Sequence, residues 1–370
     1  MPNLKSGVKR VTLADVAKAT GFSVSTVSIV LNEAPLSRYV AASTKKSVQE
    51  SAKRLGYRPD VFARSLRNQR SCTIGVLVID LADPFCTLIL QGIERKLIGT
   101  PYLPIIMDAT NKAHQVKLYA DLMLERQVEG LITVANWLFF DISALENISN
   151  RQLPTVMVGR ECKSPAIKWV SVDNESGGYA AIQHLYELGH RDIAVVRGPK
   201  RLSDSRLRWQ GIQRFAREAG LQLNPKLVQS LPDSADSASS FEGSRRLVAN
   251  LIQLGEQFTA ILAFDDISAY GAIRALHEGG LSVPQDCSVI GFDDIPAAAL
   301  STPGLTTIRQ PMLEMGEYAA DYVLRCLKDR GSKEIPDQAD SASHMMPAEI
   351  VVRESTATRS ARTPKNSTPS

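Results

Sequence analysis

Two groups of side chains in this sequence could do chemistry, and both would do it by hydrogen bonding. The first follows apolar runs: Asp80 to Phe85, Arg160, Arg208, Asp265–Asp266 and Asp293–Asp294. Carboxylates and guanidinium groups at the ends of buried strands grip the polar groups of small molecules. They do not by themselves make an enzyme. The acidic pairs lack a partnered His or Lys pattern, and no GxSxG, P-loop, GxGxxG or HExxH stands in a suitable place. The second group is Ser25, Thr26, Ser28, Ile29 and Asn32, on one face of a short helical pattern. Such a face suits the edges of DNA bases. No metal site is expected. The histidines are scattered, and Cys72, Cys86, Cys162, Cys287 and Cys326 are odd in number with no CxxC, which suits reduced thiols in a cytosol.

The second group needs a scaffold, and Val11 to Asn32 supplies one: VTLADVAKATGFSVSTVSIVLN. Thr12 is an N-cap for a first helix with Leu13, Val16 and Ala17 inward. Gly21 takes the positive φ of a turn, with Phe22 as an apolar plug. Ser23 caps a second helix with Val24, Val27 and Val30–Leu31 at helical spacing. Both helices are too short to stand alone, so they must fold on a third. That third helix is expected over Thr44 to Leu55, with Val48, Ala52 and Leu55 inward, Gly56 as C-cap and Tyr57 closing the core. An ordinary helical hairpin and a DNA-reading helix-turn-helix share these signs. Charge separates them. Residues 1–70 hold thirteen Lys or Arg against four Asp or Glu, a surplus of nine, while the whole chain is +4 and the remainder therefore −5. A basic head on an acidic body is the layout of a protein whose one end neutralises phosphates. In the loop after Asn32, Arg38 and Tyr39 are candidate phosphate contacts.

The first group needs parallel strands. From Cys72, strand and helix patterns alternate. The first set has strands at Thr73–Ile79, Pro104–Met107, Gly130–Val134 and Pro154–Val158, with Trp169–Val172 leading out; Asp141–Ser149 reads as one of its helices. The second has strands at Ile193–Val196, Leu227–Ser230, Ala260–Ala263 and Cys287–Gly291, followed by Leu305–Ile308, a helix over Met312–Lys328 and a last strand at Glu349–Arg353. This is the pattern of two doubly wound α/β subdomains, which bind ligands outside the carboxyl ends of their strands. There is no run of eighteen apolar residues, so no membrane span, and MPNLKSGVKR has no signal-peptide core.

Motifs in order through the chain carry a resemblance. After the helix-turn-helix stretch come GYRPDVFARSLR, DPF, SVDNESGGYAAIQHLYELGHRDIAVVRGP, GFDDI and EIVVREST. From Val11 to Thr356 the sequence resembles the LacI/GalR family of bacterial transcription regulators. The resemblance implies an all-α helix-turn-helix head and a periplasmic-binding-protein-like α/β body. It implies a cytoplasmic homodimer that binds double-stranded, near-palindromic operator DNA and a small polar effector, a sugar or related metabolite, with no further cofactor, no enzyme activity and no membrane partner. Domains are expected at 1–58 (head), 59–71 (hinge helix and linker) and 72–356 (body), with a disordered tail at 357–370. Within the body, subdomain one is expected over about 72–172 and 303–334, and subdomain two over about 173–302 and 335–356. The three crossings would then fall near Val172, Thr302 and Ile335. The tail has no apolar heptads, so a tetramer is not expected.

By the same resemblance the DNA-binding residues are Thr12, Ser23, Val24, Ser25, Thr26, Ser28, Ile29, Asn32, Tyr57, Ala63 and Leu66, with Leu66 as a minor-groove wedge. The effector residues are Phe85, Arg208, Asp265 and Asp293. The chain departs from the family in four places. Ile29 stands where an arginine is frequent, Gly159 where an aspartate is frequent, Asp265 where asparagine is usual, and Ala238 where an aromatic ring often lies. The competing readings are a solute-binding protein of a transport system, opposed by the missing export signal and the basic head, and an enzyme, opposed by the missing motifs.

Overall fold

The structure is a computed structural model. It describes residues 11–32, 34–57, 70–135, 145, 153–162, 164–165, 167–233, 236–329 and 343–359, apart from the side chains of 237 and 238. The hinge over 59–69 with Ala63 and Leu66, the tail from 360, the Ala238 side chain and all of Asp141–Ser149 but Leu145 therefore lie outside the described residues. The chain divides into two compact units at Ser71–Cys72.

In the head, α1 (Leu13–Thr20) begins with a reciprocal cap. Thr12 Oγ1 accepts from the Asp15 amide, and Asp15 accepts from the Thr12 amide at 2.8 Å. Gly21, at φ 74°, ends it, and the chain bends by 110° into α2 (Val24–Leu31). A 3-10 turn over Pro35–Tyr39 leads to α3 (Ala42–Leu55), which starts earlier than the expected Thr44. Val16, Ala17, Val27, Val30, Val48 and Ala52 form the core, with Tyr57 packed against it. Leu55, expected inward, is instead 36% exposed, because each helix turns only one narrow apolar face to this small core; Val24, a candidate DNA contact, is 48% exposed.

The body has two six-stranded sheets. Sheet A holds β1 (Thr73–Val78), β2 (Leu103–Asp108), β3 (Gly130–Val134), β4 (Thr155–Val158), β5 (Lys168–Val172) and β11 (His344–Met346), in the order β11-β5-β4-β3-β1-β2, all parallel. Sheet B holds β6 (Ile193–Arg197), β7 (Val228–Ser230), β8 (Ala260–Leu262), β9 (Ser288–Asp293), β10 (Thr306–Arg309) and β12 (Glu349–Val351), in the order β12-β10-β9-β8-β6-β7, with only β12 antiparallel. The strands read as continuous apolar runs because each sheet has an apolar cluster on both faces.

The helices that cover the sheets are α4 (Pro84–Leu97) and α5 (Ala113–Glu125) in the first lobe, and α6 (Asn174–Glu187), α7 (Ser203–Glu218), α8 (Ser237–Gln253), α9 (Asp266–Glu278) and α10 (Pro296–Leu300) in the second. The last, α11 (Met312–Asp329), returns to pack with α4 in the first lobe. Glycines bring helix backbones into contact. A Cβ on Gly92 of α4 would strike the carbonyl of Leu313, and one on Gly316 of α11 that of Ile89. In the second lobe Gly178 faces the carbonyl of Arg208, and Gly211 that of Glu175.

The lobe boundaries differ from expectation. The chain leaves sheet A after Val172, but the second crossing falls at Gln310–Pro311 rather than Thr302, because β10 pairs with β9 in sheet B. The third falls at Pro347–Ala348 rather than Ile335, because His344–Met346 forms an extra strand on β5. Among the described residues no single helix is long and apolar enough to cross a membrane.

One buried acid ties the second lobe together. Asp266, at the start of α9, is wholly buried; it accepts from the Ile295 amide at 2.9 Å and pairs with the Thr307 hydroxyl at 2.5 Å. Burial pushes its carboxyl up to about 8, with the Thr307 and Ile295 bonds opposing and Asp265 and Asp294 adding. The folded state keeps a proton that the unfolded chain gives up near the ordinary 3.8. This contribution to stability is therefore full below that value and is lost as pH rises toward 8, at about 1.4 kcal/mol per unit. Asp266→Asn keeps an oxygen to accept from the Ile295 amide and puts an amide donor opposite the Thr307 hydroxyl, which can rotate to accept. It should gain stability over the parent between about pH 5 and pH 8 in urea titrations. Parallel pH profiles would show that Asp266 is ionised when folded.

Candidate functional site

On the head, the second helix presents a mixed face. Val24 and Ser25 are exposed, while Ser28 and Ile29 are half-buried. Several of its hydroxyls are already occupied. Ser23 Oγ accepts from the Thr26 amide at 3.1 Å and lies 2.9 Å from the Thr26 hydroxyl. Thr12 is held by Asp15, and the Asn32 amide donates to the Ser28 carbonyl at 2.8 Å and its hydroxyl at 3.1 Å. The expectation that Ser28 and Asn32 stand free on the outer face is corrected, because a short polar side chain at a helix end turns back on the backbone. Val24, Ser25 and Ile29 are left as the chemically distinctive part of the face. In the following loop Tyr39 is 72% exposed, with the Arg38 guanidinium 4.7 Å from its ring centroid.

In the body, the strand ends gather a buried polar cluster around Arg208. Its helix, α7, places it one turn before Gly211, where the helix passes against α6. Arg208 is 5% exposed. Nε donates to Asn174 Oδ1 at 2.8 Å and Nη1 to the Phe264 carbonyl at 2.6 Å. The guanidinium lies 3.5 Å from the Phe292 ring centroid and 4.7 Å from that of Phe264. Nη2 stands 3.7 Å from Asp293 Oδ1, an ion pair too long for a hydrogen bond.

Asp293 ends β9 at φ 121°, outside the usual range for a residue with a side chain. Gln310 Nε2 donates to its Oδ1 at 2.5 Å. Burial holds the Asp293 carboxyl well above the carboxylate range; Arg208 opposes, and Asp266, Asp265 and Asp83 add to the rise. The charge of Asp83, on the first lobe, is thus felt at Asp293 on the second. Asp294, also at positive φ, turns away to bind Arg309 and Arg353, both at 2.7 Å. Asp265 caps α9. Its Oδ1 accepts from the Ser268 amide at 2.6 Å, and burial raises its carboxyl against those Ser268 bonds and Arg208.

Two expectations shift. Phe85 is wholly buried in the first lobe's core, and its ring lies 3.1 Å from where a Cβ at Gly159 would stand. It therefore underlies the cleft rather than facing it, and Gly159, at φ 92°, makes the room. Asn174, Gln310 and Asp204 are additional site residues. Asp204 is 4% exposed, and burial raises its carboxyl, opposed by Arg208, a Ser203 hydrogen bond and Arg160 of the facing lobe. Its spacing is a sequence signal, since it stands one helical turn before Arg208 and shares its face. Asn174 and Gln310 carry no local signal. Among the described residues no group of three or more His, Cys, Asp or Glu could hold a metal.

Comparisons with known proteins bear on both units. Residues 12–60 match the family described as bacterial regulatory proteins, lacI family, and residues 182–356 match the periplasmic binding protein-like domain. The chain is 31% identical over 346 residues to the HTH-type transcriptional repressor CytR of Escherichia coli K12, covering 93% of this chain and 96% of that one. It is 33% identical over 348 residues to the HTH-type transcriptional repressor PurR of Aliivibrio fischeri, covering 94% and 99%. The lac repressor dimer bound to operator and the anti-inducer ONPF superposes with a TM-score of 0.80 at 27% identity, covering 94% of this chain and all of the other.

Proposed function

The chain belongs to the lacI family of bacterial regulatory proteins, and from that premise we infer a cytoplasmic, sequence-specific DNA-binding repressor whose hold on its operator is set by a small polar effector. It is not an enzyme. The observation that carries this reading is the union, in one chain, of a capped 110° helix-turn-helix with a body whose strand ends bury an arginine and several carboxylates. A ligand between two lobes selects one lobe arrangement and so biases a DNA-binding dimer. The cleft residues are Arg208 and Asp293 with Asp265, Asn174 and Asp204. The DNA-reading face is Val24, Ser25 and Ile29 with Thr26 beside them, while Thr12, Ser23, Ser28, Asn32 and Tyr57 hold its shape. Leu66 and Ala63 enter the minor groove at the operator centre.

The protein acts as a homodimer. On the edge strand β2, Leu103 and Ile106 are 70% and 49% exposed, and Ile106 lines a groove of about 430 Å³ with Leu81, Leu90 and Pro104 and, at its polar side, Thr87, Gln91 and Glu94. A second copy covers this apolar strip. Two heads then read two half-sites.

Selection from a randomised duplex pool tests the function. The parent should enrich a near-palindromic site, and failure to enrich any sequence would remove the repressor reading. Ile29 offers a sharper arm. It lies one turn beyond exposed Ser25 and donates no hydrogen bond, so it reads by contact with an apolar edge such as a thymine methyl. Ile29→Arg should select guanine at one symmetric half-site position, with about 1–3 kcal/mol of discrimination. An unchanged selected sequence would place Ile29 away from the bases.

A further inference from the structure

Buried acceptors outnumber buried donors in the cleft. Asp204, Asp265 and Asp293 are 4%, 5% and 5% exposed, and Arg208 is the one buried Lys or Arg among the described residues. Each carboxylate spends one oxygen on the protein. Asp204 Oδ1 accepts from the Ser203 hydroxyl at 3.1 Å, Asp265 Oδ1 from the Ser268 amide at 2.6 Å, and Asp293 Oδ1 from Gln310 at 2.5 Å. The Oδ2 atom of each accepts no hydrogen bond among the described residues. Arg208 has already committed Nε and Nη1 to Asn174 and the Phe264 carbonyl. Across the cleft, half-buried Arg160 acts on Asp204, but its neighbour Glu161 acts in the opposite sense. An occupant thus meets three carboxylate oxygens in want of donors and one edge of a guanidinium.

We propose that the effector is a cation at neutral pH, a small polyhydroxylated compound carrying a protonated primary amine, with the ammonium set against Asp204 and hydroxyls donating to Asp265 and Asp293. This rests on the cleft being the effector site. The reasoning is one of charge and satisfaction. Three buried carboxylates against one guanidinium are costly unless they take up protons or receive positive charge. A neutral polyol supplies donors but leaves the acids to take up protons instead. A phosphorylated or carboxylated compound adds like charge beside three acids, which rejects it. An ammonium supplies three donors and the missing charge, and bonds from charged donors to carboxylates are the stronger kind. Asp204 is its place because Asp204 receives only a long bond from a neutral hydroxyl, whereas Asp265 is tied into a helix cap and Asp293 faces Arg208.

The test compares matched compounds on the full-length protein. D-glucosamine, D-galactosamine and D-mannosamine are set beside glucose, galactose and mannose and their 6-phosphates, first by thermal shift and then by calorimetry. At least one amine should raise the melting midpoint and bind about ten-fold more tightly than its parent hexose. In Asp204→Asn, the ratio of amine affinity to parent-hexose affinity should fall about ten-fold, a change of selectivity that lost stability would not produce. If a neutral hexose or a phosphate binds as tightly as its amine, the charge assignment is overturned and the cleft stands as an effector site. If no compound of any class shifts the midpoint, the proposal is overturned together with the polyol character of the effector. Operator selection reports separately on the regulator reading.

Discussion

Arg208→Ala should abolish the effector response and leave the body markedly less stable. The guanidinium is held by Asn174 and the Phe264 carbonyl, lies against two aromatic rings, and is the cation nearest Asp293. Its removal leaves the Asn174 oxygen and the Phe264 carbonyl without their donor, at about 1–3 kcal/mol for each buried acceptor left unsatisfied. It also deletes the cleft's one buried cationic donor among the described residues, and hydrogen bonds to a charged group are worth about 1.5–3 kcal/mol each. Effector affinity should therefore fall by about a hundred-fold or more. Urea unfolding measures the first effect. Calorimetry with whichever compound raises the parent's melting midpoint measures the second. Arg208→Lys keeps the charge but not the planar fork, so it should recover part of the stability and little of the affinity. An Arg208→Ala protein that binds the same compound within two-fold of the parent would move the site elsewhere.

Gly211→Ala should cost about 3 kcal/mol, at the upper end for an added methyl in a packed interior. The obstacle is the main-chain carbonyl of Glu175 on α6, which cannot rotate away as a side chain can. The helices must part, and they carry the two halves of one contact. Arg208 lies one turn before Gly211, and Asn174 one turn before Gly178. Spreading α6 from α7 therefore pulls the guanidinium off its acceptor, and effector affinity should drop with stability. Gln213→Ala, at an exposed position of the same helix, should stay within about 0.5 kcal/mol. Equal urea midpoints for Gly211→Ala and the parent would rule out backbone contact between these helices.

Much of the architecture is legible in the sequence because buried parallel strands are apolar runs and the charges that matter stand at their ends. The lobe assignment of Thr306–Arg309 is not legible, since a parallel partner is chosen by contacts far away in sequence. His344–Met346 carries no strand pattern, being three residues long with two of them exposed. Within the site, Asp293 and Asp294 look equivalent on paper. Positive φ at both sends one toward Arg208 and the other to Arg309 and Arg353, and no periodicity foretells that. Asp265 and Asp266 divide similarly, one capping a helix beside the cleft and the other buried beneath it. Asp204 was within reach of simple helix geometry through its spacing from Arg208. The engagement of Ser28 with Asn32 depends on rotamers, which spacing does not show.

The glycine contacts have a mechanical consequence. Where helices touch main chain to main chain, no compliant layer of side chains lies between them to absorb a load. The lobe with α4 and α11 and the lobe with α6 and α7 are both stiffened in this way. Compliance is then concentrated in the three strands that join them. The third crossing runs between the other two, pairing Met346 with Val172 and Glu349 with Arg309. Three strands bound edge to edge make one narrow joint, the place where a change in the angle between the lobes would be taken up. A ligand clasped between the lobes would then be reported onward as an opening angle.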